Sequence, residues 1–413
     1  MKSVAQAPEL RLSRLQKLIE RFKAPPSLRL YNRFKKDSWP SDTIDWQSET
    51  GDRGLTPFSG ENIEAPRVAP TGTAEHSAKA AFWKEKMYLA SKFLNNICSP
   101  QNTNKYYRAA KYIAKQTRML KHRCLRRGEW MIAKVFNAGS FSYKDPDGNS
   151  ISVDYGIPTT NKVTLGTTSK WNYTGSDATV NILGDIMDAQ DQASNLFSGE
   201  YTHALFTSEV LRVMVENSGI QNLLQKSTFG NGDLFVNPTK VLGSLLNIKN
   251  MELYNESYRI KAWLTSGVAA GAGSHTIYGD NFTDFEVGMT LTMVDVSLKT
   301  NNLETLTITA VDVVAGTVTA TGTLARAYKA STDFCYVTKK FIDPTKFILY
   351  TPKVEDENII EFAEAPFALS RHWGLMIDKK DTWDPDGLYV RAQNKGIPVL
   401  YFPDAIYQLT VIG

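Results

Sequence analysis

The chain of 413 residues predicts an α+β fold with a separate small all-β module, and three features lead to that reading. A basic helical pattern runs unbroken from Lys105 to Phe136. Strand-like segments with tight-turn chemistry follow it and return at the C-terminus. Between Ala262 and Lys340 the composition shifts to Thr, Val, Gly and Ala, and Thr290–Val296, Thr305–Asp312 and Thr317–Thr321 alternate with period two. A block of that size bounded by glycines suffices for a small antiparallel barrel or sandwich. Its strand-like flanks, Tyr258–Ile260 and Phe341–Ile342, place the insertion at a hairpin tip.

Composition excludes several classes. With 42% hydrophobic and 22% charged residues, the chain is globular and is not collagen, a coiled-coil rod or a disordered polymer. No uncharged apolar run approaches the roughly 18 residues that span a bilayer, so no membrane partner is expected. Met1–Lys23 is basic and has no continuous apolar segment, unlike a secretory signal. Three cysteines argue against a disulfide framework and fit a reducing cytoplasm. The net charge of +4 conceals a strong asymmetry. Met1–Lys36 holds ten Lys/Arg against two Glu, a charge of +8, and Lys105–Lys134 holds ten against one, a charge of +9, which leaves −13 for the remainder. Two solvated helix faces would give such a distribution, and so would a polyanion or an acidic partner on one side.

In chain order, Pro8–Lys23 sets Leu12, Leu15, Leu18, Ile19 and Phe22 at helical spacing among Arg11, Arg14, Lys17 and Arg21, and stops at Pro25-Pro26. This amphipathic arm is expected to pack on its own chain or on a neighbouring copy. Asp42–Ala78 turns to Gly, Pro, Thr, Ser and Glu, with slight alternation at Ile44 and Trp46. A long stretch without its own core is a functional ribbon ordered by lying on something else, or a flexible linker. Helical patterning returns at Ala80, breaks at Ser99-Pro100 and continues to Phe136. In its second part Tyr106, Ala110, Ile113, Thr117, Leu120, Cys124, Met131 and Val135 share one face. Lys105, Arg108, Lys111, Lys115, Arg118, His122 and Arg126 form a second stripe. At 1.5 Å per residue this spine is about 45 to 50 Å long.

A hairpin is expected next, Ser140–Tyr143 with Ser150–Tyr155, joined by Asp145-Pro146-Asp147-Gly148. The turn resembles a calcium loop but has Ser150 where glycine is needed and Gly156 where a bidentate glutamate is needed. Helices over Asn181–Phe197 and Ser208–Glu216, the latter capped by Ser208, alternate with strands over Thr202–Phe206, Met251–Ile260 and Phe347–Leu349. Leu388–Arg391, Val399–Phe402 and Ile406–Ile412 close the chain as strands, after a second turn at Asp384-Pro385-Asp386-Gly387.

Chemistry is not visible. His76, His122, His203, His275 and His372 are scattered, and Cys98, Cys124 and Cys335 lack zinc-ligand spacing. His122 and Cys124 point to different helix faces, so they form no base and nucleophile pair. Gly271-Ala272-Gly273 opens no helix, and neither a phosphate-loop lysine motif nor Gly-x-Ser-x-Gly occurs. No catalytic, metal or cofactor residue is assigned, and no enzyme is expected.

The order of elements resembles the major capsid protein of tailed bacteriophages, and within it the lambda-type family. Ile151-Ser152-Val153-Asp154-Tyr155-Gly156-Ile157-Pro158 with Lys170-Trp171 is similar to the family's aspartate-aromatic-glycine stretch. Phe341-Ile342-Asp343-Pro344-Thr345-Lys346-Phe347-Ile348-Leu349 resembles the strand after its hairpin, and Glu364-Ala365-Pro366 its closing region. The resemblance implies a Hong Kong 97-type capsid fold: residues 1–42 an N-terminal arm, 43–78 an extended loop, 79–178 a peripheral domain completed by 384–413, 179–261 and 341–383 an axial domain, and 262–340 the inserted β-domain. It further implies hexamers and pentamers of the chain itself, closing an icosahedral virion shell around double-stranded DNA after assembly in the host cytoplasm. The extended loop, with Trp46, Arg53, Phe58, Glu61 and Arg67, would lie on the neighbouring subunit. The stripe of Lys105, Arg108, Lys111, Lys115, Arg118 and Arg126 would face DNA nonspecifically, hold an acidic scaffolding protein or bridge subunits. Decoration proteins and a portal are the other implied partners, and no removable N-terminal scaffold segment is expected. The inserted domain is expected to stabilise the shell from outside or between capsomers, or to be a tolerated passenger. The alternative is a basic nucleic-acid-binding or packaging protein acting through the long helix. An enzyme with an accessory β-domain would need a pocket of convergent polar groups.

Overall fold

The computed structural model describes residues 17, 22, 24–50, 72–90, 103–144, 150–197, 199–226, 237–282, 284–297, 303–368, 371–383 and 386–413. The expected arm helix, the Ser99-Pro100 break and both Asp-Pro turn tips lie outside these residues or at their margin. The chain divides into two compact units, Met1–Asn255 with Ile342–Gly413, and Glu256–Phe341.

In the first unit, one sheet has the order β7-β22-β16-β8-β9. Its strands are β7 (Lys162–Thr164), β8 (His203–Phe206), β9 (Asn250–Leu253), β16 (Lys346–Tyr350) and β22 (Ile406–Thr410). The central β16 has Phe347, Ile348, Leu349 and Tyr350 all buried, which is why it reads as an apolar run and not as an alternation. Helices α3 (Ile182–Phe197), α4 (Ser208–Glu216), α5 (Ser218–Lys226) and α6 (Pro238–Leu245) join it. Their apolar stripes, Ile182/Ile186/Ala189/Ala193 and Val210/Met214 among them, meet Trp171, Phe206, Phe347, Leu349 and Leu409 in one core.

A second sheet is built on β21 (Asp386–Leu400), fifteen residues long, which pairs with β20 (Met376–Trp383), β4 (Ala81–Ala90) and β19 (Ile360–Glu364). β1 (Lys35–Ser38) adds in parallel to β19. α2 (Thr103–Ala138), 36 residues and therefore about 54 Å long, packs here: Ile113, Leu120 and Cys124 touch Leu89, Leu388, Val390 and Ala392. It ends at Gly139, whose φ of +70° and N–H to the Val135 carbonyl (2.8 Å) make the left-handed stop. Three hairpins complete the unit: β2 (Thr43–Glu49) with β3 (Thr73–Lys79), β5 (Ser140–Lys144) with β6 (Ser150–Asp154), and β17 (Lys353–Val354) with β18 (Glu357–Asn358). A short helix α1 (Arg29–Arg33) precedes β1.

The second unit is one six-stranded antiparallel sheet of order β10-β15-β12-β13-β14-β11. It comprises β10 (Ser257–Trp263), β11 (Gly271–Tyr278), β12 (Thr290–Val294), β13 (Leu303–Asp312), β14 (Thr317–Leu324) and β15 (Phe334–Lys340). Ala262, Ile277, Leu291, Met293, Ile308, Val318, Ala320, Cys335 and Val337 point into its core, and the intervening threonines point away.

Four local expectations are corrected. The pattern resuming at Ala80 is not helix but β4, paired along all of Ala81–Ala90 with β21. Trp83, Met87 and Leu89 alternate onto the face toward α2, a spacing too short to separate strand from helix by period alone. The expected strand Met251–Ile260 is two strands, because Tyr254 turns in, its N–H bonded to the Phe206 carbonyl at 2.8 Å and its hydroxyl to Glu129. Leu388–Arg391 and Val399-Leu400 are parts of the single β21, continuous through Gly396, and the expected strand Val399–Phe402 stops at Leu400. Ser208 is the first residue of α4 and not its cap; Thr207 holds the cap position and Asn255 Oδ1 accepts the Ser208 N–H at 2.9 Å.

Gly396 supplies a testable point. A Cβ there would lie 2.5 Å from the Ala363 carbonyl oxygen and 2.7 Å from the Phe362 ring. Gly396→Ala is expected to push β19 off β21 and destabilise the unassembled chain by about 1–3 kcal/mol, read as a lower urea midpoint.

Candidate assembly surface

The basic stripe is positioned by what the opposite face of α2 buries. Ile113, Thr117, Leu120, Cys124, Met131 and Val135 are all buried, which turns Lys111, Lys115, Arg118 and Arg126 outward together on exposed positions. Lys105 and Arg108 are on the same helix, and their side chains lie outside the described residues. Among the described residues no carboxylate pairs with Lys111, Lys115 or Arg126, whereas the neighbouring Arg123 meets Glu85 at 2.5 Å. Arg118 sits 4.6 Å from the Phe22 ring, and Lys121 Nζ donates to the Phe22 carbonyl at 2.5 Å, so the end of the basic arm reaches this helix. Toward its C-terminus α2 ceases to be two-faced. Trp130, Met131, Ile132, Ala133, Val135 and Phe136 are buried on successive faces, and Arg127 and Lys134 lie over the Trp130 ring at 5.0 and 5.5 Å.

That enclosure comes partly from Phe141 and Tyr350, which meet Trp130 and Phe136 respectively, and partly from α1. Its N-cap residue, Leu28, has no side-chain acceptor, so the orphan N–H groups of Leu30 and Tyr31 are taken by the two carboxylate oxygens of Glu129, at 3.1 and 2.6 Å. Gly128 makes the contact possible, since a Cβ there would lie 2.6 Å from the Tyr31 ring. The segment before β1 is thereby pinned to the spine.

The root of the β2–β3 hairpin is fixed to the body as well. Ile44, Trp46 and Ser48 form its buried face. The Trp46 indole, 5% exposed, stacks on His76 (5.2 Å, 16°) and approaches Tyr155 (6.0 Å), whose hydroxyl donates to the Pro398 carbonyl at 2.8 Å. Trp46 thus has its ring partners within its own chain. Arg53, Phe58, Glu61 and Arg67 lie outside the described residues.

A groove of about 780 Å³ opens beside the edge strand β9, and no sequence pattern pointed to it. Arg29 and Arg33 of α1, Lys240 of α6, Lys249, His203 and Glu252 line it. Arg33 is paired with Glu252 at 2.7 Å, and Arg29 Nη1 donates to the Leu253 carbonyl at 3.3 Å. Lys240 and Lys249 are exposed and bond to no described side chain. Only the +8 charge of Met1–Lys36 could have signalled half of it; the lysines are separated from the arginines by about two hundred residues of sequence. Burial lowers the His203 pKa, only partly offset by Glu252 and reinforced by Arg33 and Lys249. The unfolded chain therefore binds the proton first on acidification, so stability falls as pH drops through about 6.5, the ordinary histidine value. His203→Asn is expected to flatten the pH 5–7 dependence of the urea midpoint.

Among the described residues no helix is long and apolar enough to cross a membrane, and no cluster of His, Cys, Asp or Glu could hold a metal ion.

Comparison with known proteins completes the picture. The family model described as phage major capsid protein E matches residues 14–269, more than half of the chain. No curated protein matches. Among solved structures, a prophage protein described as its capsid protein, from E. coli CFT073, is 14% identical with a TM-score of 0.53, covering 97% of this chain and 98% of that one. A phage-related protein from Bordetella bronchiseptica RB50 is 8% identical with a TM-score of 0.48, covering 96% and 95%. The capsid of Myoviridae phage XM1 is 10% identical with a TM-score of 0.40, covering 90% and 86%. The prophage likeness extends end to end and shows the phage capsid fold. The chain belongs to the phage major capsid protein E family and is a shell-forming capsid protein of the virion.

Proposed function

We propose that the chain assembles into hexamers and pentamers that close an icosahedral head around double-stranded DNA, in the host cytoplasm and without a catalytic step of its own. The family match over 14–269 carries the reading. Head-to-tail contacts between identical copies close into rings, and rings of five and six tile a closed shell. In this reading residues 79–178 with the C-terminal strands form the peripheral domain, 179–261 and 341–383 the axial domain, and 262–340 an inserted module that stabilises the shell. In the same reading residues 43–78 are the extended loop that lies on a neighbouring copy, and Trp46 holds the described β2–β3 pair to its own chain. Scaffolding and decoration proteins and a portal are the further partners proposed.

The exposed cations of α2 support an inner-wall or intersubunit role. Contacts to phosphate release counterions, and each steepens the salt dependence of binding by about 0.9 in log–log slope. Replacing Lys111, Lys115, Arg118 and Arg126 by Gln is expected to leave empty shells intact and to reduce the slope of DNA binding by about 3 to 4. The whole reading is tested by expressing the chain alone and with its gene neighbours and imaging by electron microscopy. Hexamers, sheets or closed particles are expected; discrete monomers or dimers under all conditions, with salt-sensitive DNA affinity, would overturn it in favour of a packaging protein.

A further inference from the structure

The groove beside β9 is unbalanced in charge. Arg29, Arg33, Lys240 and Lys249 face it against Glu252, and Glu252 is already engaged by Arg33. Elsewhere in the same unit stands its complement. The β17–β18 hairpin pairs Lys353 with Asn358 and Val354 with Glu357, leaving a two-residue loop of Glu355 and Asp356. Both loop residues have positive φ, 49° and 69°, the conformation of a type I′ turn that Asn-Gly ordinarily supplies. The acids Glu355, Asp356 and Glu357 are all exposed at the tip. Burial raises the pKa of the nearby Tyr401 hydroxyl, and so do Glu361, which is paired with Lys35 at 3.3 Å, Asp37 and Glu357. The knob is narrow, because only two strands and a two-residue turn build it, and it carries three consecutive carboxylates.

We propose that the groove lined by Arg29, Arg33, Lys240 and Lys249 receives the acidic β17–β18 hairpin of a second copy of this chain. The proposal rests on the self-assembly reading above. The occupant is chosen by charge and supply: every copy that offers the groove also offers the knob, and assembly brings copies to high local concentration. Arg29 and Arg33 are held by backbone and carboxylate partners at the groove's β9 side, while Lys240 and Lys249 have no described partner and supply the unsatisfied charge. The hairpin's root lies beside the groove of its own chain, Thr351 Oγ1 being 3.3 Å from Thr202 Oγ1, yet no described ion pair joins its carboxylates to those cations within the chain. Such an ionic contact steers encounter and fixes register between partners, and it weakens with salt.

Charge reversal tests it on the full chain, expressed as for wild-type particles. Lys240→Glu with Lys249→Glu places like charges together and is expected to cut particle yield at least ~10-fold, the factor that about 1.4 kcal/mol sets. Glu355→Lys with Glu357→Lys is expected to do the same. Carrying all four substitutions in one chain restores the pairing with opposite signs and is expected to recover yield to within about threefold of wild type. The milder Lys240→Gln with Lys249→Gln is expected to give an intermediate yield that falls faster with added salt. Urea midpoints of the unassembled variants are expected to match wild type. Normal yield of either reversed pair, failure of the fourfold variant to recover, or a midpoint lowered by the reversals, which would mean that the hairpin serves its own groove, each overturns the proposal. Wild-type particles formed in parallel report on self-assembly separately.

Discussion

Glu129→Ala is expected to lower the stability of the unassembled chain by about 3–5 kcal/mol, seen as a drop in the urea midpoint at unchanged m-value. The carboxylate is fully buried and accepts the N–H groups of Leu30 and Tyr31 and the hydroxyl of Tyr254. Truncation strands those donors away from water, and each unsatisfied one costs about 1–3 kcal/mol. Glu129→Gln keeps one oxygen acceptor and is expected to cost less, about 1–3 kcal/mol. Tyr254→Phe leaves both backbone bonds in place and is expected to cost about 1 kcal/mol. An Ala variant no less stable than Tyr254→Phe would mean that α1 is not held by this carboxylate. Because α1 also carries Arg29 and Arg33, its release is expected to open the groove and reduce particle yield as well.

Phe136→Ala should rank with it, at about 3–5 kcal/mol. The ring is fully buried two turns further along α2, stacked on Phe34 (6.0 Å, 28°) and edge-on to Tyr350 (5.0 Å, 64°). Phe34 follows α1 directly, so Glu129 holds the start of that helix and Phe136 its end. The double variant is therefore expected to lose less than the sum of the two, by about 0.5–3 kcal/mol, because one released segment cannot be released twice. Strict additivity would show that the two contacts fail independently.

The contrast between helix α2 and strand β4 explains what a single sequence discloses. In α2 the periodic stripe of Ile113, Thr117, Leu120, Cys124, Met131 and Val135 is long enough to define its period, and all six side chains are buried. β4 is ten residues long and mixes Trp83, Lys84, Glu85 and Lys86, so its identity comes from the partner strand β21 and not from its own pattern. Trp46 shows the same limit at a candidate site: its alternation announces a strand, but its covering by His76 and Tyr155 follows from long-range packing.

The amino-acid order sufficed for the α+β class, the spine, the charge asymmetry and the capsid resemblance, because these depend on local period, composition and the succession of elements. Chain folding was needed to enclose Glu129, to join β21 across Gly396, and to gather Arg29 and Arg33 with Lys240 and Lys249 into one groove. Those features are built from residues far apart in sequence, and the burial and field that give them their chemistry exist only once the sheets and helices have packed.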